Sequence, residues 1–348
     1  MLIDELNTGV MFSFRNPGWC RREFTDVYRD DLASIRRAEE LGFDTVWLTE
    51  HHFADDGYSP SILTIAAAIA ATTERIRIGF NLLLLPLHNA VRLAEDLATL
   101  DVISNGRIDV GVGQGYAVHE FDGFGISRSE RLGRFVEGLD VLTGLWENDE
   151  FSYKGAHYQI DGARLVPRPV QHPSPPMWVG ATTSKAVARA GSRGAHLLGL
   201  ANPKLQAVYE SARVDAGYQA DANVLQLHWA HVADTNDQAW LDAAPHFHHL
   251  LDVYAEWGNA ASVADGRAAR MVVPPVEELR DTTQSLIFDP VFGDASTVAD
   301  TMSASMLRLR TTHLALGVLP GIDPSLTNAS MERFAREVAP ALNERRAA

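Results

Sequence analysis

The sequence predicts an α/β fold in which eight βα units close into a (β/α)8 barrel with two insertions. Short apolar runs alternate with amphipathic helical patterns from one end of the chain to the other. The third run, residues 76–85, is apolar at nearly every position, as expected of a strand covered on both faces. Eight such units match a closed barrel. A doubly wound open sheet, which shows the same alternation, is the alternative.

The first four units lie before the first insertion. The first helix shows the reasoning: Leu32, Ile35 and Ala38 form one apolar stripe at helical spacing, and Gly42 marks its end. The predicted strands cover residues 6–14, 45–48, 76–85 and 108–112. The predicted helices cover about 26–41, 61–72, 89–104 and 129–147.

The second half contains the other four units and both insertions. Gly155 and Gly162, set among alternating aromatic and polar residues, predict a hairpin or excursion within an insertion at about 151–175. A segment rich in Arg, Pro and Gly predicts a long irregular insertion at about 258–290. The predicted strands are 177–179, 196–200, 224–232 and 312–318; the predicted helices are about 183–192, 204–216, from 237, 297–307 and 326–342.

Composition limits the class of protein. The chain has 348 residues, of which 46% are hydrophobic, so we expect one barrel domain over residues 1–348 with a sizeable core. Its net charge of −15 argues against nucleic acid or an anionic membrane as a partner. A single cysteine, Cys20, excludes an intrachain disulfide, and the acidic N-terminus does not look like a signal peptide. We therefore expect a cytoplasmic protein.

An ionisable cluster, Glu50, His51 and His52, directly follows the second predicted strand. Catalytic groups of α/β barrels lie at this end of the strands. Neighbouring strand residues point to opposite faces, so we predict one working and one supporting imidazole and no shared metal ion. An imidazole suits proton exchange near neutral pH. Two histidines that only cap a loop are the alternative.

Two loops are candidates for cofactor binding. Residues 111–115 resemble a dinucleotide fingerprint, but Tyr116 takes the place of the third glycine. These glycines either let the backbone approach something flat or serve the fold alone. The hydroxyl-rich residues 180–184 precede a predicted helix, where they either cap it or bind a phosphate with the help of Lys185 and Arg131.

Two later groups of residues are weaker candidates. Asp242, His246 and His249 would align on one helix face as a possible metal stripe, but Pro245 is expected to interrupt that helix, so no metal is predicted. Arginines 267, 270 and 280 in the irregular segment are expected to be solvated or to form part of a mobile lid.

Four stretches together resemble the bacterial luciferase-like flavin-dependent monooxygenase superfamily. They are Leu41–Phe53, Ala94–Asp96 with Ser104–Arg107, Pro176–Gly180 and Glu337–Pro340. The resemblance implies a TIM barrel, a homodimer and a two-component monooxygenase. Such an enzyme uses reduced, diffusible FMN, delivered by a separate flavin reductase, and O2. It oxygenates a small organic substrate through a flavin (hydro)peroxide.

The resemblance also implies site residues. His51 takes the position of the active-site histidine, and Glu50 that of an acidic neighbour close to the flavin; these two are the predicted catalytic residues. Asn81 and Leu82 match a pair joined by a non-proline cis peptide behind the flavin ring. Further predicted cofactor-binding residues are Arg131, the phosphate-binding turn Gly180, Ala181, Thr182, Thr183 and Ser184, and the loop residues Gly113 and Gln114. The last two stand where luciferases carry a reactive cysteine and a phosphate-binding arginine.

A sister branch that uses a deazaflavin for hydride transfer provides the alternative function and cofactor. Its sugar-phosphate dehydrogenases keep a tryptophan and a glutamate where this chain has Asp55 and Tyr116. That difference disfavours those dehydrogenases without excluding other deazaflavin enzymes. A non-catalytic flavin-binding protein is a third hypothesis, which the ionisable cluster at His51 disfavours.

Overall fold

The computed structural model describes residues 6–199, 202–219, 222–282 and 288–347. Its strands are β1 (Asn7–Phe12), β2 (Thr45–Leu48), β3 (Arg77–Phe80), β4 (Leu83–Leu84), β5 (Ile108–Gly113), β6 (Phe151–Lys154), β7 (Gln159–Ala163), β8 (Met177–Gly180), β9 (His196–Leu198), β10 (Val224–Val232), β11 (Pro290–Gly293) and β12 (His313–Gly317).

The α-helices alternate with these strands. They are α1 (Phe24–Glu40), α2 (Ile62–Thr72), α3 (Ala90–Ser104), α4 (Val118–Gly123), α5 (Arg131–Glu147), α6 (Ser184–Ser192), α7 (Pro203–Asp215), α8 (Asn236–Ala264), α9 (Leu279–Thr282), α10 (Ala295–Arg308), α11 (Pro324–Arg333) and α12 (Ala339–Ala347). A π-helical turn, Phe334–Val338, joins the last two.

Eight parallel strands close into a barrel. The hydrogen-bonded order is β1, β2, β3, β5, β8, β9, β10 and β12, and β12 pairs again with β1, for example Leu316 with Val10. This closure confirms the predicted (β/α)8 barrel and excludes the open doubly wound sheet. Each of the eight barrel strands overlaps one of the eight strands predicted from the sequence.

Tryptophans fill the inside of the barrel, and glycines make room for them. The rings of Trp47 and Trp178 meet edge to face at 5.4 Å. A Cβ at Gly79 would lie 2.4 Å from the Trp47 ring, and one at Gly317 would lie 2.4 Å from the Trp229 ring. Because strand side chains alternate between faces, the other face of the same strands packs against the helices in a larger aliphatic core.

Two predicted elements differ in detail from the structure. The predicted third strand, 76–85, is two strands, β3 and β4, with Asn81 and Leu82 between them. The predicted sixth strand, 196–200, is observed as β9, and Leu200 lies outside the described residues.

The structure agrees with the prediction for the first insertion and differs from the prediction for the second. The first contains the antiparallel hairpin β6–β7, which confirms that prediction. The prediction of an irregular segment over 258–290 is wrong at both ends. Helix α8 runs on to Ala264, and β11 begins at Pro290 and pairs with β10. Proline cannot donate to a ladder, so a strand that begins with it has a weak sequence signal.

Pro245 does not interrupt α8, contrary to the prediction. The helix spans 29 residues with this proline inside it. Phe247, Leu250 and Leu251, just beyond the proline, are buried against the barrel interior. Their burial outweighs the loss of one backbone hydrogen bond. As a result, the C-terminal half of α8 packs over the carboxyl ends of the barrel strands.

Among the described helices, none is both long and apolar enough to cross a lipid bilayer.

Candidate active site

The predicted ionisable cluster lies at the carboxyl end of β2, inside the mouth of the barrel. Glu50, His51 and His52 are all buried. Each imidazole binds a different carboxylate: His51 contacts Glu120, and His52 contacts Glu50. The structure thus separates the two rings, as predicted, although both histidines lie beyond Leu48, the last residue of β2, so strand alternation is not the cause.

His51 lies within a group of four aromatic side chains that we call the aromatic chamber: Tyr58, Tyr116, Tyr254 and Trp257. The centre of its ring lies 4.7 Å from that of Tyr58 and 4.6 Å from that of Trp257. Tyr254 and Tyr116 follow at 5.8 and 6.1 Å. Only 6% of His51 is exposed, so this imidazole is largely shielded from bulk water.

Glu120, on α4, fixes the orientation of His51. Its Oε1 accepts hydrogen bonds from His51 Nδ1 at 2.8 Å and from the His52 backbone N–H at 3.0 Å. Oε2 is buried without a hydrogen-bond partner among the described residues. Oε1 already accepts from the His52 N–H, and with Nδ1 of His51 as a second donor to it, Nε2 is the ring nitrogen that faces away from Glu120.

Glu50 is held by three donors. Its Oε1 accepts from His52 Nε2 at 3.0 Å and from His88 Nε2 at 2.8 Å, and its Oε2 accepts from the Leu84 N–H at 2.7 Å. Burial alone would raise the pKa of this carboxyl, but His88 and His52 lower it to about 2. Burial lowers the pKa of His88, yet Glu50 outweighs that effect and raises it. Glu50 therefore links the end of β2, through hydrogen bonds, to the segment that follows β3.

Leu82, Gly113 and Gly180 form a contact group that we call the leucine platform. The peptide bond between Asn81 and Leu82 is cis, as the resemblance implied. A Cβ at Gly113 would lie 2.6 Å from Leu82 Cδ1, and one at Gly180 would lie 2.4 Å from Leu82 Cδ2. Both glycines thus leave space for Leu82, while Gln114 at the rim is half-buried.

The predicted phosphate-binding turn lies at the start of α6. Ala181 is buried, whereas Thr182, Thr183 and Ser184 are exposed. Thr183 caps the helix, its side chain accepting from the Ala186 N–H at 3.4 Å. Capping therefore uses one of the three hydroxyls and leaves those of Thr182 and Ser184 at the helix N-terminus, a favourable place for an anion.

Arg131 lies beside the end of α8. Its Nη1 is 3.9 Å from Asp265 Oδ1, and Arg128 donates to both oxygens of the same carboxylate at 2.9 and 3.1 Å. Arg128 also lowers the pKa of Asp265. The Arg128–Asp265 ion pair joins the start of α5 to the end of α8. Arg131 also faces Asp265, so a residue of the protein already lies beside its charge.

The late histidines are not a metal stripe. His246 Nδ1 lies 2.7 Å from the Pro320 carbonyl oxygen, and His249 Nε2 lies 2.8 Å from Asp56 Oδ2. The described residues contain no group of three or more His, Cys, Asp or Glu side chains able to hold an ion.

Sequence reasoning missed Glu120, His88, Tyr254 and Trp257. Glu120 lies in a short helix five residues beyond Gly115, and no spacing rule links it to His51. Tyr254 and Trp257 were hidden by the expectation that α8 would break at Pro245. Glu120 follows β5, the second barrel strand after β2, so only a search for acids beyond every strand end would have found it.

The match to a family model decides the assignment: residues 6–309 match luciferase-like monooxygenases. The chain belongs to the luciferase-like monooxygenase family. The oxygenase component of a flavin-dependent trigonelline monooxygenase from Acinetobacter baylyi is 25% identical over 332 residues, which is 91% of each chain. An F420-dependent glucose-6-phosphate dehydrogenase from Amycolatopsis mediterranei is 32% identical over 173 residues, 47% of this chain and 51% of that protein.

Solved structures agree on the fold. The oxygenating constituent of 3,6-diketocamphane monooxygenase from Pseudomonas putida, in complex with FMN, superposes with a TM-score of 0.80. It is 21% identical, and the match covers 97% of this chain and 98% of that one.

The uncharacterised protein y4vJ of Sinorhizobium fredii is 37% identical over 171 residues, so the chain spans about half, 49%, of that relative's length.

Proposed function

We propose that this protein is the oxygenase component of a two-component monooxygenase that uses reduced FMN and O2 to oxygenate a small organic substrate. The observation that carries the proposal is the His51–Glu120 pair inside the aromatic chamber. A reductase would deliver the reduced flavin. The homodimer and the single domain expected from the sequence remain predictions.

The residues at the barrel mouth fit a flavin. The methyl groups of Leu82, packed into the space that Gly113 and Gly180 leave, offer an apolar surface against which a flat ring can lie. The hydroxyls of Thr182 and Ser184 and the N-terminus of α6 suit its phosphate. When bound, the reduced flavin supplies the electrons that let one atom of O2 enter the substrate while the other leaves as water.

His51 would act through Nε2. In this role Nδ1 donates to Glu120, and Nε2 accepts a proton from a reacting group or, once protonated, donates one. Glu50 has a positioning role, because three donors occupy its oxygens and only 2% of it is exposed. The aromatic chamber keeps water from the same place: Tyr58 is 1% and Trp257 7% exposed.

His51→Ala tests the function. The variant should bind reduced FMN normally but give about a hundredfold less oxygenated product per second, the usual order for loss of a positioned acid–base group. His157→Ala, which removes a half-buried histidine outside the aromatic chamber, is the matched control and should keep the wild-type rate. Wild-type product yield per reduced flavin from His51→Ala would refute the role.

The F420-dependent relatives support a second candidate, a hydride-transferring deazaflavin enzyme. A side-by-side titration with reduced FMN, oxidised FMN and the deazaflavin separates the two. Preference for the deazaflavin, with anaerobic turnover and no oxygenation, would replace the proposal with this alternative.

A further inference from the structure

Arg15 is a buried arginine at the carboxyl end of β1 that the proposed function does not use. Its side chain is 0% exposed. Nε donates to Asp56 Oδ2 at 2.6 Å, and Cζ lies 4.6 Å from the ring centre of Tyr58. Because His51 contacts the same ring, the guanidinium and the imidazole share one wall of the aromatic chamber.

The two terminal nitrogens of Arg15 have no hydrogen-bond partner. Nη1 and Nη2 are both buried, and within the described part of the chain neither finds an acceptor. A guanidinium carries five N–H groups, and only the one on Nε is satisfied by Asp56. Leaving a charged donor buried and without an acceptor is costly, so these two nitrogens call for a partner such as a bound anion or water.

Nearby residues do not meet this need. Asp56 is shared with His249, whose Nε2 lies 2.8 Å from the same oxygen that Arg15 binds. Burial would raise the pKa of Asp56, but His249 and Arg15 lower it, so it stays ionised. Burial raises the pKa of Tyr58 and Tyr254, so both phenols stay neutral. The phenol oxygens also bond each other, at 2.9 Å.

We propose that Arg15 binds a carboxylate of the substrate, and that the substrate is a small aromatic carboxylic acid whose ring lies against the aromatic chamber beside His51. The inference rests on the proposed function for the identity of the ligand as substrate. A planar carboxylate matches the two free guanidinium nitrogens as a bidentate partner. The rings of Tyr58 and Trp257 supply the flat apolar contacts that an aromatic ring prefers.

A carboxylate fits better than a phosphate. Asp56 already offsets the positive charge of Arg15 in an enclosed site. A phosphate dianion would add two negative charges there, whereas a carboxylate adds only one. The exposed hydroxyls at the start of α6 are the more suitable place for a phosphate. The ligand of Arg15 is therefore assigned to the substrate and not to the flavin.

Calorimetric titration without flavin or oxygen tests the proposal. Benzoate, phenylacetate and cinnamate are compared with their neutral amides and with inorganic phosphate, using the wild type, Arg15→Gln and Arg15→Lys. At least one acid should bind the wild type about tenfold or more tightly than its amide, as expected of charge-assisted hydrogen bonds. Arg15→Gln should lose that preference, and Arg15→Lys should keep only part of it.

Arg22→Gln, which removes a half-buried ion pair with Asp30, is the matched control and should keep the preference. Circular dichroism checks that each variant is folded, and the comparison of acids with amides needs only the wild type. Equal binding of every acid and its amide, an unchanged preference in Arg15→Gln, or tighter binding of phosphate would overturn the proposal. His51→Ala should still bind the acid, so failure of the oxygenase role and failure of the carboxylate site give different results.

Discussion

Replacing Glu50 by glutamine should destabilise the protein in a pH-dependent way. Its carboxylate accepts hydrogen bonds from His52, His88 and the Leu84 N–H. In a glutamine, an NH2 group replaces one of the two oxygens, so a donor would face these donors. The folded pKa of about 2, against an ordinary value of 4.5, corresponds to a stabilisation of the order of 3 kcal/mol near neutral pH. Glu50→Gln should lose about this free energy of unfolding at pH 7.

The sign of the pH dependence follows from the direction of the shift. The pKa of Glu50 is lowered on folding, so its stabilisation is present above pH 4.5 and is lost as the pH falls towards 2. The pKa of His88 is raised on folding, so its contribution is present below its ordinary pKa of 6.5 and is lost as the pH rises through the folded value. The difference in the free energy of unfolding between wild type and Glu50→Gln should therefore become smaller below pH 4.5.

Urea unfolding at pH 7 and at about pH 3.5 measures this gap. Glu95→Gln, at an exposed glutamate on α3, serves as the control and should stay close to wild type. The reasoning is wrong if Glu50→Gln unfolds like the wild type at pH 7, or if the gap is the same at both pH values.

Two further variants probe the site. Glu120→Ala leaves the Nδ1–H of His51 and the backbone N–H of His52 buried without an acceptor, so product formation should fall about tenfold or more while flavin still binds; wild-type turnover would contradict the positioning role. Gly180→Ala puts a Cβ 2.4 Å from Leu82 Cδ2 and should weaken reduced-FMN binding about tenfold in a fluorescence titration. Gly18→Ala, with no neighbour within 4 Å, should have no effect, and unchanged binding in Gly180→Ala would remove the leucine platform from the flavin site.

The barrel and the position of its ionisable cluster could be predicted because both depend on local patterns. Apolar runs predicted the eight barrel strands, and the end of the second run predicted where the ionisable cluster lies. These signals lie within a few residues of the element they specify.

The parts that could not be predicted depend on distant contacts. Glu120 reaches His51 across 69 positions of the chain, and a carboxylate on a short helix looks like any surface acid. Pro245 argued for a break in α8 on local grounds, but buried side chains such as Phe247 hold the helix to the barrel. The four-residue strand β11 begins with a proline and had no pattern long enough to recognise.

The hydroxyl contact between Tyr58 and Tyr254 spans 196 positions of the chain, so the chamber is assembled from two distant regions of the sequence. His51 and Glu120 belong to the first region, and the long helix α8 brings Tyr254 and Trp257 from the second. The helix that supplies half of the chamber is thus separate in the chain from the histidine and its carboxylate partner. In protein engineering, libraries restricted to the last turns of α8 should alter which molecules are accepted and leave the proton-handling residues untouched.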